Sequence, residues 1–199
     1  LRTLLPLADG TLLVGGPAGI DLIRQGRVQR RPDWLEPLGQ ASVLSLAQGS
    51  NGLLAIGSSA DGGWEWDGQQ LRSRRAPADL GSPQVRAILV DDDGGVWWGS
   101  TLGLSHCSAQ ACRNYRRSDG LEGDFVTALM RDRAGTLWIG TSMGATRLDR
   151  DGLHLAPFAD GTARSVFGFL HDRLGRLWVC SDGGVGLWRD GRFDMLDRR

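Results

Sequence analysis

The sequence predicts an all-β fold, a β-propeller whose five four-stranded antiparallel blades follow one another along the chain. Three observations predict it: a unit of about forty residues recurs, glycine is abundant, and the apolar runs are of strand length. Glycine fills 30 of 199 positions, about twice the usual share, as expected of many tight turns. A helical solenoid of similar period would show apolar residues at 3.6-residue spacing, and none of these runs does.

The repeat is set by the turn glycines Gly10, Gly52, Gly94, Gly135 and Gly175, spaced 42, 42, 41 and 40 residues apart. Nine residues before each stand Leu1, Val43, Val85, Val126 and Val166, which open the first strand of each unit. A second apolar run follows the glycine, as in Thr136 to Ile139. A further glycine (Gly19, Gly103, Gly144, Gly184, displaced to Gly62 or Gly63 in the second unit) introduces the third strand. Asp67-Gly68, Asp151-Gly152 and Asp190-Gly191 then form hairpin turns, since residues tolerant of positive φ suit two-residue connections, and a fourth strand completes the unit. The blades expected from this spacing are residues 1–42, 43–84, 85–125, 126–165 and 166–199, the whole chain being one propeller segment.

In the second strand Leu137 and Ile139 point to one side and Trp138 to the other, yet all are apolar. Both faces must therefore be covered, which stacked blades provide. The Trp position recurs as Trp97, Trp138 and Trp178, with Leu13 and Ala55 in the first two units, and is assigned to packing between blades. Cys180 ends a second strand and is expected to be buried and inert.

The third to fifth units carry a sharper pattern, best seen in Asp132-Arg133-Ala134-Gly135-Thr136-Leu137-Trp138-Ile139-Gly140-Thr141-Ser142-Met143-Gly144, with Asp119-Gly120-Leu121 and Val126 ahead of it. It resembles the two-component-regulator propeller repeat, D-x-x-G-x-L-W-x-G-T-x-x-G-L. The third unit repeats it from Asp91 to Leu104, and the fifth from Asp172 to Val185 with Cys180 in place of a glycine. The first two units keep the glycines and lose the Trp and the leading Asp. The resemblance implies a bacterial periplasmic ligand-binding sensor region, ahead of a membrane span and a histidine kinase or diguanylate cyclase. It also implies rings that usually close at seven blades, so five units read as part of a larger ring, with a self-contained five-bladed ring as the alternative.

Arg and acidic residues balance at 23 each, with no Lys at all, so no net field draws the chain to nucleic acid or an anionic membrane. No run of 18 apolar residues predicts direct membrane insertion, and the N-terminus lacks the layout of a signal peptide. Gly140-Thr141-Ser142-Met143-Gly144 fits G-x-S-x-G, but a nucleophile elbow needs a helix after the turn, where the repeat places a strand. Asp91, Asp92 and Asp93 are consecutive, unlike alternating calcium ligands. Asp91, Asp132 and Asp172 share one repeat position, where a carboxylate can bond amides two residues on. His106, His154 and His171 are too dispersed for a zinc motif. No catalytic residue, metal or cofactor is therefore expected. Cys107 and Cys112 flank a hairpin, which allows either a disulfide, implying an oxidising compartment, or two free thiols.

If a ligand binds, propeller geometry directs attention to the loops joining strand four to the next strand one, and strand two to strand three. On this sequence those loops hold Trp34, Arg75, Arg117, Asp119, Met143 and Asp182, residue types suited to a small polar molecule or oligosaccharide. Two other functions compete with a sensor coupled to a downstream signalling domain of the same polypeptide. One is a protein-binding or homodimerising scaffold. The other is a propeller lyase resembling those that cleave streptogramins, which would need a His/Glu constellation from a chain with only Glu36, Glu65 and Glu122.

Overall fold

The computed structural model describes residues 1–75, 79–162 and 164–196. Their strands form five four-stranded antiparallel sheets, each with its strands in chain order. The first contains β1 (Thr3–Pro6), β2 (Leu12–Gly16), β3 (Gly19–Arg24) and β4 (Arg27–Val28). The second contains β5 (Val43–Gln48), β6 (Leu54–Ser58), β7 (Gly63–Trp66) and β8 (Leu71–Arg74). The third contains β9 (Val85–Val90), β10 (Val96–Ser100), β11 (Gly103–Cys107) and β12 (Cys112–Tyr115). The fourth contains β13 (Val126–Arg131), β14 (Leu137–Thr141), β15 (Ala145–Asp149) and β16 (Gly152–Ala156). The fifth contains β17 (Val166–His171), β18 (Leu177–Ser181), β19 (Gly184–Arg189) and β20 (Arg192–Met195), and its expected end at residue 199 lies outside the described residues.

The chain divides into two compact units, Leu1–Ser100 with Ser105–Asn114, and Thr101–Leu104 with the segment from Tyr115 onward. The first strand begins at Thr3 rather than Leu1. Two connections expected to be free of helix carry 3₁₀ turns, at Asp33–Leu38 and Arg117–Asp119. In the first, Leu35 and Leu38 eclipse one another at three-residue spacing, so both enter the seam between the first two blades with Leu13, Val43 and Ile56.

Each first hairpin closes with a bond from the amide of the turn glycine to the carbonyl three residues back, at 3.0 to 3.1 Å in all five blades. A side chain fixes the same turn from one of two positions. Asp9, Asn51 and Asp93, directly before the glycine, accept the amides of Thr11, Leu53 and Gly95. Asp132 and Asp172, three residues before it, accept the amides of Ala134 and Leu174 and those of Thr136 and Arg176. The other carboxylate oxygen takes the indole N–H of the repeat tryptophan: Asp91 from Trp97 at 2.7 Å, Asp132 from Trp138 at 2.9 Å, Asp172 from Trp178 at 3.0 Å. The leading Asp and the Trp are therefore one device. An indole donor largely withdrawn from water is satisfied by a carboxylate of the turn, with the extra strength of an ionised acceptor.

Blades join through a socket. A Cβ at Gly15 would stand 2.8 Å from Val43 Cγ1, at Gly57 2.7 Å from Val85 Cγ1, and at Gly140 2.6 Å from Val166 Cγ1. Each second strand thus omits a side chain where the valine that opens the next blade enters. In the second unit Trp138, Ala145 and Phe158 close over Val166, Val179 and Phe193, so the Trp position packs between blades as expected.

The fifth blade departs from this rule. Cys180 occupies the socket position and, against expectation, is exposed. Its neighbour Val185 is 44% exposed, whereas Ile20, Trp64, Leu104 and Ala145 at the same repeat position are at most 7% exposed. Phe167 and Leu170 of β17 are also open to solvent. The burial expected for Cys180 requires a following sheet, which among the described residues this blade does not have.

Substituting Gly140→Ala forces a methyl into the Val166 socket and should destabilise the fold by about 1–3 kcal/mol. Adding Val166→Ala should recover part of that loss, read as non-additivity in chemical denaturation. Acid should weaken the fold through two aspartates. The Trp178 indole, then the Arg176 and Leu174 donors, hold the Asp172 carboxyl well below the usual range. Bonds from the Thr162 hydroxyl and amide, assisted by Arg164, lower that of Asp160 to about 2. Both lie below the roughly 3.9 of an unfolded aspartate. Their contribution is therefore complete above about pH 4 and is lost as pH falls through the folded values. Urea titrations at falling pH should show this slope, and Asp160→Asn with Asp172→Asn should flatten it.

Candidate functional site

The loops that join strand two to three, and strand four to the next strand one, are fixed by their backbones. Ser59 donates its amide to Ser42, Ser142 to Phe125 and Asp182 to Ser165, at 2.9 to 3.0 Å. The hydroxyls of Ser58, Thr141 and Ser181, ending their second strands, bond the carbonyls of Gly62, Gly144 and Gly184. Side chains next to these anchors are free to serve another purpose.

In the first unit these loops enclose an open cleft of about 690 Å³. One wall is Pro37 to Ser42, another Ser59 to Asp61, a third Arg75 and Pro83, with Trp64 among the lining residues. Trp64 is nearly buried, and Asp61 and Arg75 are exposed. Among the described residues neither the Asp61 carboxylate nor the Arg75 guanidinium has a hydrogen-bond or ion-pair partner, while the Arg75 amide is held by Asp79. A cleft with an unpaired acid and base at its rim and the edge of a largely buried indole in its lining can bond the polar groups of a small molecule.

In the second unit the equivalent loops form a smaller cleft of about 150 Å³, lined by Glu122, Met143 to Ala145, Leu155 to Phe158, Gly161 and Thr162.

The six residues singled out in the sequence are thus distributed unevenly. Arg75 lines the first cleft and Met143 the second; Trp34, Arg117, Asp119 and Asp182 line neither. Trp34 stacks on Trp66, with ring centroids 4.6 Å apart and planes at 15°, against the core of the first two blades. The Asp119 carboxylate accepts the Arg116 amide, closing the 3₁₀ turn, and the Arg117 amide goes to Asp124. Asp182 is exposed on its anchored loop. Asp61, Trp64 and Glu122 were not foreseen. They lie beside the displaced glycine of the second unit and after Asp-Gly-Leu, on loops of the kind named from the sequence, but no residue pattern distinguished them.

Along the third and fourth strands the chemistry is structural. Glu65, nearly buried, receives two parallel bonds from Arg74, both at 3.0 Å, and Arg74 also reaches the Ser108 carbonyl. The Glu65 bonds raise the Arg74 guanidinium above its ordinary pKa. His106 stacks on Trp97 at 4.0 Å, with Nε2 3.5 Å from Asp91, and so belongs to the turn device of the third blade. Cys107 and Cys112 are joined in a disulfide across the β11–β12 hairpin, with Cα atoms 4.0 Å apart. Among the described residues no cluster of metal-ligating side chains occurs and no helix is long and apolar enough to cross a membrane. Ser142 lies in a turn between β14 and β15, without the helix a nucleophile elbow requires.

Residues 120–143 match the family model described as the two component regulator propeller. The sequence matches none of the curated proteins. Among solved structures, the chain resembles the extracellular domain of the hybrid two component system BT3049 from B. thetaiotaomicron, at 17% identity and a TM-score of 0.77. The match covers 93% of this chain and 27% of that one. The extracellular domain of BT4673 from the same organism matches at 16% identity and a TM-score of 0.79, over 96% of this chain and 27% of that one. Virginiamycin B lyase from Staphylococcus aureus matches at 14% identity and a TM-score of 0.73, over 96% of this chain and 67% of that one. The chain spans about a quarter of the length of the two extracellular domains, and at these identities the likeness is one of fold.

The fold class is the β-propeller. Within that class residues 120–143 match the two-component-regulator propeller repeat.

Glu65→Gln should cost about 3 kcal/mol, because it leaves the Arg74 cation half-buried without its carboxylate. Thermal or urea denaturation measures this, and the double substitution Glu65→Gln with Arg74→Met should recover part of the loss.

Proposed function

We propose that this chain is part of a non-catalytic, extracytoplasmic sensor region of a bacterial signal-transduction protein. It binds a small polar molecule or oligosaccharide and passes the conformational bias to a downstream histidine kinase or diguanylate cyclase domain. The observation that carries the reading is the first-unit cleft, where Asp61 and Arg75 stand unpaired around Trp64 on the loops that the repeat sets aside for variation. The match to the two-component-regulator repeat supports the signalling context. The disulfide supports a periplasmic location, since such bonds persist in oxidising compartments. Arg117, Asp119, Met143 and Asp182 lie on the corresponding loops of the second unit and are candidates for contacts there, whereas Trp34 is stacked on Trp66 against the core.

The lyase reading is disfavoured because Glu65 is already committed to Arg74 and His106 to the third blade's turn. The open side of the fifth blade favours a larger ring in which a further blade covers Val185 and Leu170. A homodimer through that face is the alternative, and sedimentation of the whole protein separates the two.

Calorimetry of the intact protein against cell-wall and plant-derived oligosaccharides should find a binder that Asp61→Ala or Arg75→Ala weakens about tenfold or more. Silence across the panel would remove the sugar as ligand class. Mass measurement before and after reduction, on protein taken from oxidising conditions, should register the Cys107–Cys112 bond.

A further inference from the structure

The smaller cleft of the second unit has a composition unlike the first. Its walls are Met143, Ala145, Leu155, Ala156, Pro157 and Phe158, and its one ionisable lining residue is Glu122. The glutamate is placed there by construction. Its amide donates to Thr146 Oγ1 at 2.9 Å, and Thr146 is fully buried. Its side chain crosses Gly144, where a Cβ would stand 2.6 Å from Glu122 Cγ. Among the described residues the carboxylate has no hydrogen-bond or ion-pair partner. The nearby cation, Arg164, which lies 5.7 Å over the Phe158 ring, is already bonded to Asp160.

An unpaired carboxylate beside apolar walls calls for a cation that brings its own apolar surface. A calcium or magnesium ion needs about six oxygen ligands, which one glutamate among methionine, leucine and phenylalanine does not supply. A primary ammonium needs one strong acceptor and leaves its stem free to replace water on the walls. The cleft, about 150 Å³ in volume, is lined mainly by apolar side chains, which suits the carbon stem of a small amine better than the hydroxyls of a sugar ring. Met143, half-exposed at the rim, is a side chain able to adapt its shape around such a stem.

We infer that the Glu122 cleft is a binding site for a small free alkylammonium compound, separate from the site proposed in the first unit. The ammonium bonds the Glu122 carboxylate, and the carbon stem lies against Met143, Leu155 and Phe158.

Titration of the whole protein with n-butylammonium chloride at constant ionic strength, followed by NMR or calorimetry, tests this. Saturable binding is expected on the order of millimolar. Glu122→Gln should weaken it about tenfold or more, as should Met143→Arg, which sets a cation at the exposed rim. Neither should shift the melting temperature appreciably, because the Glu122 carboxylate holds no structural partner. Arg75→Ala should leave amine binding unchanged, which keeps this site distinct from the first-unit cleft. Equal binding of n-butanol or butyrate, undiminished binding by Glu122→Gln, or no saturation would each overturn the assignment.

Discussion

A valine entering the space of a missing side chain joins one sheet to the next. Gly15, Gly57 and Gly140 leave that space, and Val43, Val85 and Val166 fill it. Neither partner is unusual alone. Together they bring two twisted sheets close enough for their apolar faces to exclude water, which no four-stranded sheet of this size achieves unaided. The socket also limits what each blade can be. A larger residue on one side demands a smaller one on the other, as where Gly63 makes room for the Trp98 ring. Cys180 is the position at which the rule changes, and the face around it is the open one.

With the sheets held this way, the turns need little more than local chemistry. The first hairpin of every blade takes the same backbone bond, but the side chain that secures it moves between two positions. Where the tryptophan is present, a carboxylate stands three residues before the glycine and accepts the indole N–H; in the fourth and fifth blades it also secures the turn, and in the third Asp93 does so beside it. This accounts for the joint loss of the leading Asp and the Trp in the first two blades. An indole without its acceptor, or an acceptor without its indole, would serve only half the purpose.

The clefts follow from the same economy. The anchors between loops are backbone amides and buried hydroxyls, so they do not depend on the exposed side chains. One repeat can therefore carry Asp61 and Arg75 in one unit and Glu122 beside apolar walls in another. The charges committed to structure lie elsewhere, Glu65 with Arg74 along two neighbouring strands and Asp172 with Trp178 at a first hairpin.

By itself the sequence determined the period, the four strands of each blade and the two-sided burial of the second strand. These are local properties, readable from spacing, alternation and turn residues. Only the tertiary structure decided which side chains meet across a distance. It turned Trp34 onto Trp66, closed Cys107 on Cys112, exposed Cys180 and gathered Asp61 with Trp64 and Arg75. Such pairings depend on how one blade is set against another, and that geometry arises from packing between residues some forty positions apart, where no short pattern records it.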